Sequence, residues 1–133
     1  MTLGYSEYLY PDSGASADRE ASLSLVLPLP LQPTLNAFYG VGGAVEKHTY
    51  LELGVRQEVS LAQDLGLTLG ATLGYALPDA GDSGFSHYSF QAELAFGPVA
   101  FSATYYGQLE DRVLPDENFD RELVVALKWS LEF

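Results

Sequence analysis

The chain has 133 residues, no cysteine, and 18 acidic against 6 basic side chains, a formal charge of −12. Its length allows one domain, read as residues 1–133, and the missing cysteines exclude a disulfide frame and thiol chemistry. The acidity argues against nucleic-acid partners and against a polybasic membrane-surface protein, which need clustered cations, and no apolar run reaches the about 18 residues of a membrane-crossing helix.

What the sequence does carry is alternation. Successive side chains on a strand point to opposite faces, so a period of two makes one whole face apolar. The pattern predicts eight strands, near residues 2–10, 20–28, 33–41, 48–61, 65–77, 85–96, 99–108 and 120–133. The first is ambiguous: Leu3, Tyr5, Glu7 and Leu9 form one row, and Gly4, Ser6, Tyr8 and Tyr10 the other. Glu7 facing lipid would cost on the order of 2 kcal/mol or more, so Tyr8 and Tyr10 are expected on the apolar side. Later strands are cleaner. Leu51, Leu53, Val55, Gln57 and Val59 face away from Tyr50, Glu52, Gly54, Arg56 and Glu58. The Leu65 to Tyr75 row opposes a Gly/Thr row from Gly66 to Gly74, and Leu123 to Phe133 opposes a row containing Lys128. Small residues suit the crowded interior of an eight-stranded barrel.

Punctuation separates the strands at Pro11 to Gly14, Pro28 to Pro33, Gly42-Gly43, Gln63-Asp64, Pro78 to Gly84, Gly97-Pro98 and Pro115-Asp116. Connections after strands 1, 3, 5 and 7 are the longer, polar ones; those after 2, 4 and 6 are the shorter. Long loops at one end and tight turns at the other, with an even strand count, are characteristic of outer-membrane barrels. No secretory signal precedes the first strand, so the chain is read as a mature, truncated or engineered form.

With the polar rows inward, Glu52, Arg56, Glu58, Glu93 and Lys128 share the lumen and are expected to form an ion-pair network that fills it. Tyr39, Tyr75, Tyr88 and Tyr105 fall toward the long-loop end, with Phe96, Phe101, Trp129 and Phe133 toward the other, as two aromatic girdles at the water–lipid boundaries. His48 and His87 open strands at the long-loop end and are read as exposed. A Ser86, His87 and Asp82 grouping lacks any nucleophile motif, so no catalysis is expected. Acidic loop residues such as Asp12, Asp18, Asp82, Glu110, Asp111 and Asp116 lack the spacing of a calcium-binding loop and read as solvated. A looser contact with divalent cations that bridge lipopolysaccharide phosphates is the other reading of those loops. Neither metal nor cofactor is expected.

The closing run Leu127-Lys128-Trp129-Ser130-Leu131-Glu132-Phe133 resembles the last strand of bacterial outer-membrane proteins. The resemblance implies that Trp129, Leu131 and Phe133 serve as a signal read by the barrel-assembly machinery. The layout resembles the small barrels of the outer-membrane protein X and A-domain type. Gly4-Tyr5-Ser6-Glu7-Tyr8-Leu9-Tyr10-Pro11 and Tyr50-Leu51-Glu52-Leu53-Gly54 are similar to motifs of an uncharacterised Gram-negative barrel family whose members are longer. That implies a C-terminal part or a cut-down barrel, and brings no activity.

The expectation is therefore all-β: an eight-stranded antiparallel up-and-down transmembrane β-barrel in the cell outer membrane. Its lumen is side-chain-filled, it is a monomer partnered by the lipid bilayer, and its role is structural or surface-interacting. A truncated or designed barrel without selected activity fits the same pattern. The alternatives are a small porin-like channel or ligand-binding barrel, and a soluble lipocalin-like barrel with the faces inverted.

Overall fold

The computed structural model describes residues 1–10, 16–113 and 120–130. Eight strands form one antiparallel sheet in chain order: β1 (Thr2–Tyr8), β2 (Asp18–Val26), β3 (Thr34–Gly42), β4 (Thr49–Ala62), β5 (Leu65–Leu77), β6 (Gly84–Phe96), β7 (Val99–Gln108) and β8 (Arg121–Trp129). A single 3-10 turn at Gly43–Val45 interrupts the β3–β4 connection. No helix among the described residues is long and apolar enough to cross a membrane. Among the described residues the sheet is not closed: β1 and β8 are its two edges and do not pair with each other. A closed barrel was the sequence expectation. Alternating rows fix which way each side chain faces, but an open sheet satisfies them as well as a closed one.

Register keeps the rows aligned. Leu3, Leu23, Ala37, Leu51 and Tyr75 follow one another across the first five strands, and Leu67, Leu94, Phe101 and Leu127 across the last four. Opposite-face neighbours follow the same path, as in Glu52 beside Asn36 and Gly74, or Thr104 beside Gln91 and Val124. The β6–β7 hairpin turns on Gly97-Pro98 alone, with Gly97 at φ 52°, the positive value a tight hairpin wants at its first central residue. The Gly97 N–H also donates to the Asp64 carbonyl of the neighbouring turn at 3.2 Å.

Strand lengths are uneven. β3 stops at Thr34 opposite Gly54, while β4 runs on to Ala62. Beyond that point the Arg56 N–H donates to the Leu31 carbonyl of the β2–β3 turn at 2.7 Å. The Gln57 amide donates to the Glu58 carbonyl at 3.1 Å. A lone glutamine in an apolar row thus supplies a donor where the neighbouring strand has ended.

Burial is inverted relative to a water-soluble sheet. No hydrophobic residue is buried among the described residues, whereas Asp18, Ser86, Ser89 and Ser102 are, together with Gly40, Gly74, Gly84 and Gly107. The four polar residues lie on the polar face, about which the sheet curls. Leucines and aromatics stand exposed on the other, up to 74% at Leu3 and Leu127.

β1 corrects the sequence reading of its faces. Leu3, Tyr5 and Glu7 lie on the apolar side, opposite Leu23, Ala21 and Arg19, while Tyr8 is on the polar side with Gly4 and Ser6. Two cross-strand contacts fix that choice. Glu7 pairs with Arg19 at 3.0 Å, neutralising the charge near the long-loop end of the strand. Tyr10 donates to the Asp18 carboxylate at 2.7 Å.

Candidate functional site

The polar face cradles a cavity of about 450 Å³ built from five consecutive strands, β3 to β7. Its floor is made by small residues, Gly54, Gly70 and Thr72, so this part of the face leaves space where larger side chains would fill it. Around that floor stand Asn36, Glu52, Arg56, Gln91, Thr104 and Tyr106. Each comes from the polar row of its strand, even-numbered on β3, β4 and β7 and odd-numbered on β6, whose alternate residues form the apolar face.

The five charged residues expected to form one network separate into two pairs and a single carboxylate. Arg56 meets Glu58 at 3.0 Å along β4. Lys128 on β8 reaches Glu93 on β6 at 2.9 Å, with Ser102 of β7 between their strands. Glu52 belongs to neither pair, and its carboxylate accepts a hydrogen bond from the Asn36 amide at 3.0 Å. Period-two patterning puts all five on one face, but says nothing of how far apart β4 and β8 lie around the sheet.

His87 is half-buried on the polar face rather than exposed in a loop. The Tyr50 ring stacks on it, with centroids 6.1 Å apart and planes 8° from parallel. Tyr106 lies on its other flank at 6.2 Å, and Phe38 lies 5.9 Å from Tyr50. Ser86 Oγ is 3.3 Å from His87 Nδ1. Gly74 makes this cluster possible, since a Cβ there would run into the Tyr50 hydroxyl and come within 2.9 Å of the imidazole. Tyr50 also borders a second, smaller cavity of about 220 Å³ toward the long-loop end, shared with Glu20, Phe38 and His48. The Tyr50–His87 pair therefore stands between two spaces on one face.

The loop acids are not uniformly solvated. Asp18 is 8% exposed, and its second oxygen accepts from the Ala44 N–H at 2.6 Å, tying the 3-10 turn to β2. This contact and the Tyr10 hydrogen bond hold the β1–β2 and β3–β4 connections together, and the hydrogen bond to Asp18 raises the Tyr10 phenol above its usual value. Glu110 accepts from the Phe85 N–H at 2.9 Å and pairs with Arg112 at 2.6 Å. Those two contacts, the backbone one first, hold its carboxyl below the usual glutamate range. Gly84 lets the carboxylate approach, a Cβ there lying 2.8 Å from both oxygens. Asp82 and Asp111 are exposed, and Asp12 and Asp116 lie outside the described residues.

The aromatics sort by face as well as height. Tyr39, Tyr75, Tyr88 and Tyr105 lie on the apolar side toward the long-loop end, and Phe96, Phe101 and Trp129 on the same side toward the short turns. Tyr75 meets Phe85 edge-on at 5.2 Å, and Tyr88 contacts both Phe90 and Tyr105. Leu131 and Phe133, the rest of the expected assembly signal, lie outside the described residues. Asn36, Tyr50 and Gly74 were not singled out as site residues. Only cross-strand register, which sets Asn36 and Gly74 on either side of Glu52, would have found the first and last.

Comparison of the chain with family models, with curated proteins and with solved structures gave no match.

Proposed function

We propose that the chain is an integral β-barrel of a Gram-negative outer membrane, with its apolar face against lipid and its polar face around a lumen. Its role in this reading is structural or surface-interacting through the acidic loops, without catalysis. One observation carries the proposal: among the described residues the sheet buries serines, an aspartate and glycines, and leaves its leucines and aromatics outside. Exposed apolar patches beyond a few hundred Å² mark interaction surfaces, and burying apolar area is worth about 25 cal/mol per Å². Lipid on that face supplies the burial the sheet itself lacks. The aromatic rows at both ends sit where amphipathic rings favour the headgroup level.

In this reading β1 pairs with β8, because an open edge in hydrocarbon leaves backbone groups unsatisfied at several kcal/mol each. A one-residue slip would turn the apolar row inward. Leu3 opposite Leu127 keeps the rows aligned with full overlap, and Leu3 opposite Trp129 keeps them aligned with the loss of one pair. The test is folding with and without detergent, read by heat-modifiable gel mobility. A folded species only in detergent or lipid is expected. A monodisperse folded chain in plain buffer overturns the reading and favours the inverted soluble barrel.

The cavity favours a second reading, a small porin-like channel or ligand-binding barrel, since about 450 Å³ lies within the range of small-molecule sites. Stable unit conductance steps in planar bilayers support the channel form, and a silent bilayer removes it.

A further inference from the structure

The strongest unexplained feature of the polar face is the state of its charges. Arg56 and Lys128 each have a carboxylate partner, Glu58 and Glu93. Glu52 lines the cavity and has no cationic partner among the described residues; its bond from Asn36 is a neutral one. An ionised carboxylate in a partly enclosed space favours a counter-charge.

The wall beside it is aromatic. His87 and Tyr106 line the same cavity, and Tyr50, two residues before Glu52 on the same face of β4, stacks on His87. The π face of a ring attracts a cation held within about 6 Å, most strongly where water is excluded. Glycines at 54 and 70 keep the space open beside these groups, and Gly74 makes room for the Tyr50–His87 stack itself. An anion finds no comparable site, because Arg56 is engaged by Glu58. Nor do three metal-ligating side chains converge among the described residues. A carboxylate beside ring faces, in a cavity of this volume, matches an alkylated ammonium group.

We propose that Glu52, with the His87 and Tyr106 rings and with Tyr50 backing His87, binds a small organic cation of the quaternary-ammonium class. The carboxylate supplies the charge, the rings accept the methyl groups, and the hydroxyls and amides across the cavity leave room for a polar tail. The inference rests on the barrel reading for the wall that encloses the cavity, yet the two fail differently: heat-modifiable mobility reports on the barrel and ligand titration on the site.

The experiment titrates the full chain, refolded in a maltoside detergent, with choline and with 3,3-dimethylbutan-1-ol, its neutral carbon isostere. A choline-headed detergent would itself compete and is avoided. Saturable choline binding is expected, with the isostere weaker by about tenfold or more. Glu52→Gln should weaken choline by a similar factor, and Asp64→Asn, in the β4–β5 turn, should leave it unchanged. Equal binding of the isostere, undiminished binding by Glu52→Gln, or no saturable binding by heat-shifted wild-type protein overturns the proposal. If Glu52→Gln shows no heat shift, the comparison of choline with its isostere on the wild-type chain decides alone.

Discussion

Placing arginine at Leu69 distinguishes lipid from water on the apolar face. Leu69 is 47% exposed on β5, between Gln57 of β4 and Ala92 of β6. It stands four residues into a strand of 13, about 14 Å along the strand at about 3.4 Å per residue, or about 10 Å of depth at a tilt of about 45°. An arginine near the bilayer midplane of a barrel wall costs about 2–4 kcal/mol, falling to about 0–1 near the interfaces. Leu69→Arg should therefore lose about 2–3 kcal/mol, whereas Leu77→Arg, at the long-loop end of the same strand, should lose under about 1 kcal/mol. On a water-facing surface both changes should fall within about 0.5 kcal/mol of wild type. The assay is equilibrium guanidinium unfolding in lipid vesicles, followed by Trp129, the only tryptophan. Equal and small losses at the two positions would refute the assignment of that face to lipid.

Three further outcomes follow from particular contacts. The chain has no cysteine, so L3C/L127C and L3C/W129C report on the seam without background; one pair should oxidise to an intramolecular disulfide in the folded state, and failure of both would rule out both seam registers. Glu110 has a lowered carboxyl pKa because it accepts from Phe85 and meets Arg112. Its contribution is complete above the ordinary glutamate pKa and is lost as pH falls through the depressed folded value. Protection of the Phe85 amide, relative to its intrinsic exchange rate, should then fall on acidification in wild type and be absent at all pH in Glu110→Ala; a pH-independent protection factor in wild type contradicts the contact. Gly74→Ala should destabilise by about 1–3 kcal/mol, the usual overpacking range, with partial rescue by Tyr50→Phe, which removes the obstructing hydroxyl. Absence of rescue in a thermal unfolding double-mutant cycle would place the obstruction elsewhere.

Much of this architecture was legible from period and punctuation. Strands β4 to β7 fall within a residue of their expected limits, because Leu/Gly, Leu/Thr and Phe/Ser alternation leaves one consistent pairing of faces. β1 was misread since its own seven residues carry no clean row; Arg19 and Asp18, on another strand, decide it. The site was half legible. Alternation gathers Glu52, Arg56, Glu58, Glu93 and Lys128 on one face, but height and distance around the sheet depend on register, which divides them. His87 escaped because a histidine at the start of a strand gives no sign that a tyrosine from β4 will stack on it. Closure was inferred from pattern, and a pattern of single strands carries no information about whether the first meets the last.

The inverted burial also determines how freely each face can change over evolutionary time. A leucine packed among fixed neighbours is constrained in shape, because shortening it leaves a void that costs several kcal/mol. In the proposed membrane setting a leucine against fluid hydrocarbon leaves no void, since acyl chains move in, so Leu53, Val59, Leu69 or Leu127 would exchange with any apolar residue at little loss. Constraint then concentrates where space is rigid: at Gly74 beneath the Tyr50–His87 pair, and at Gly84 beneath Glu110. A wall of this kind preserves its alternation and a few glycines while most of its letters drift, and two such walls can share a shape with few shared residues.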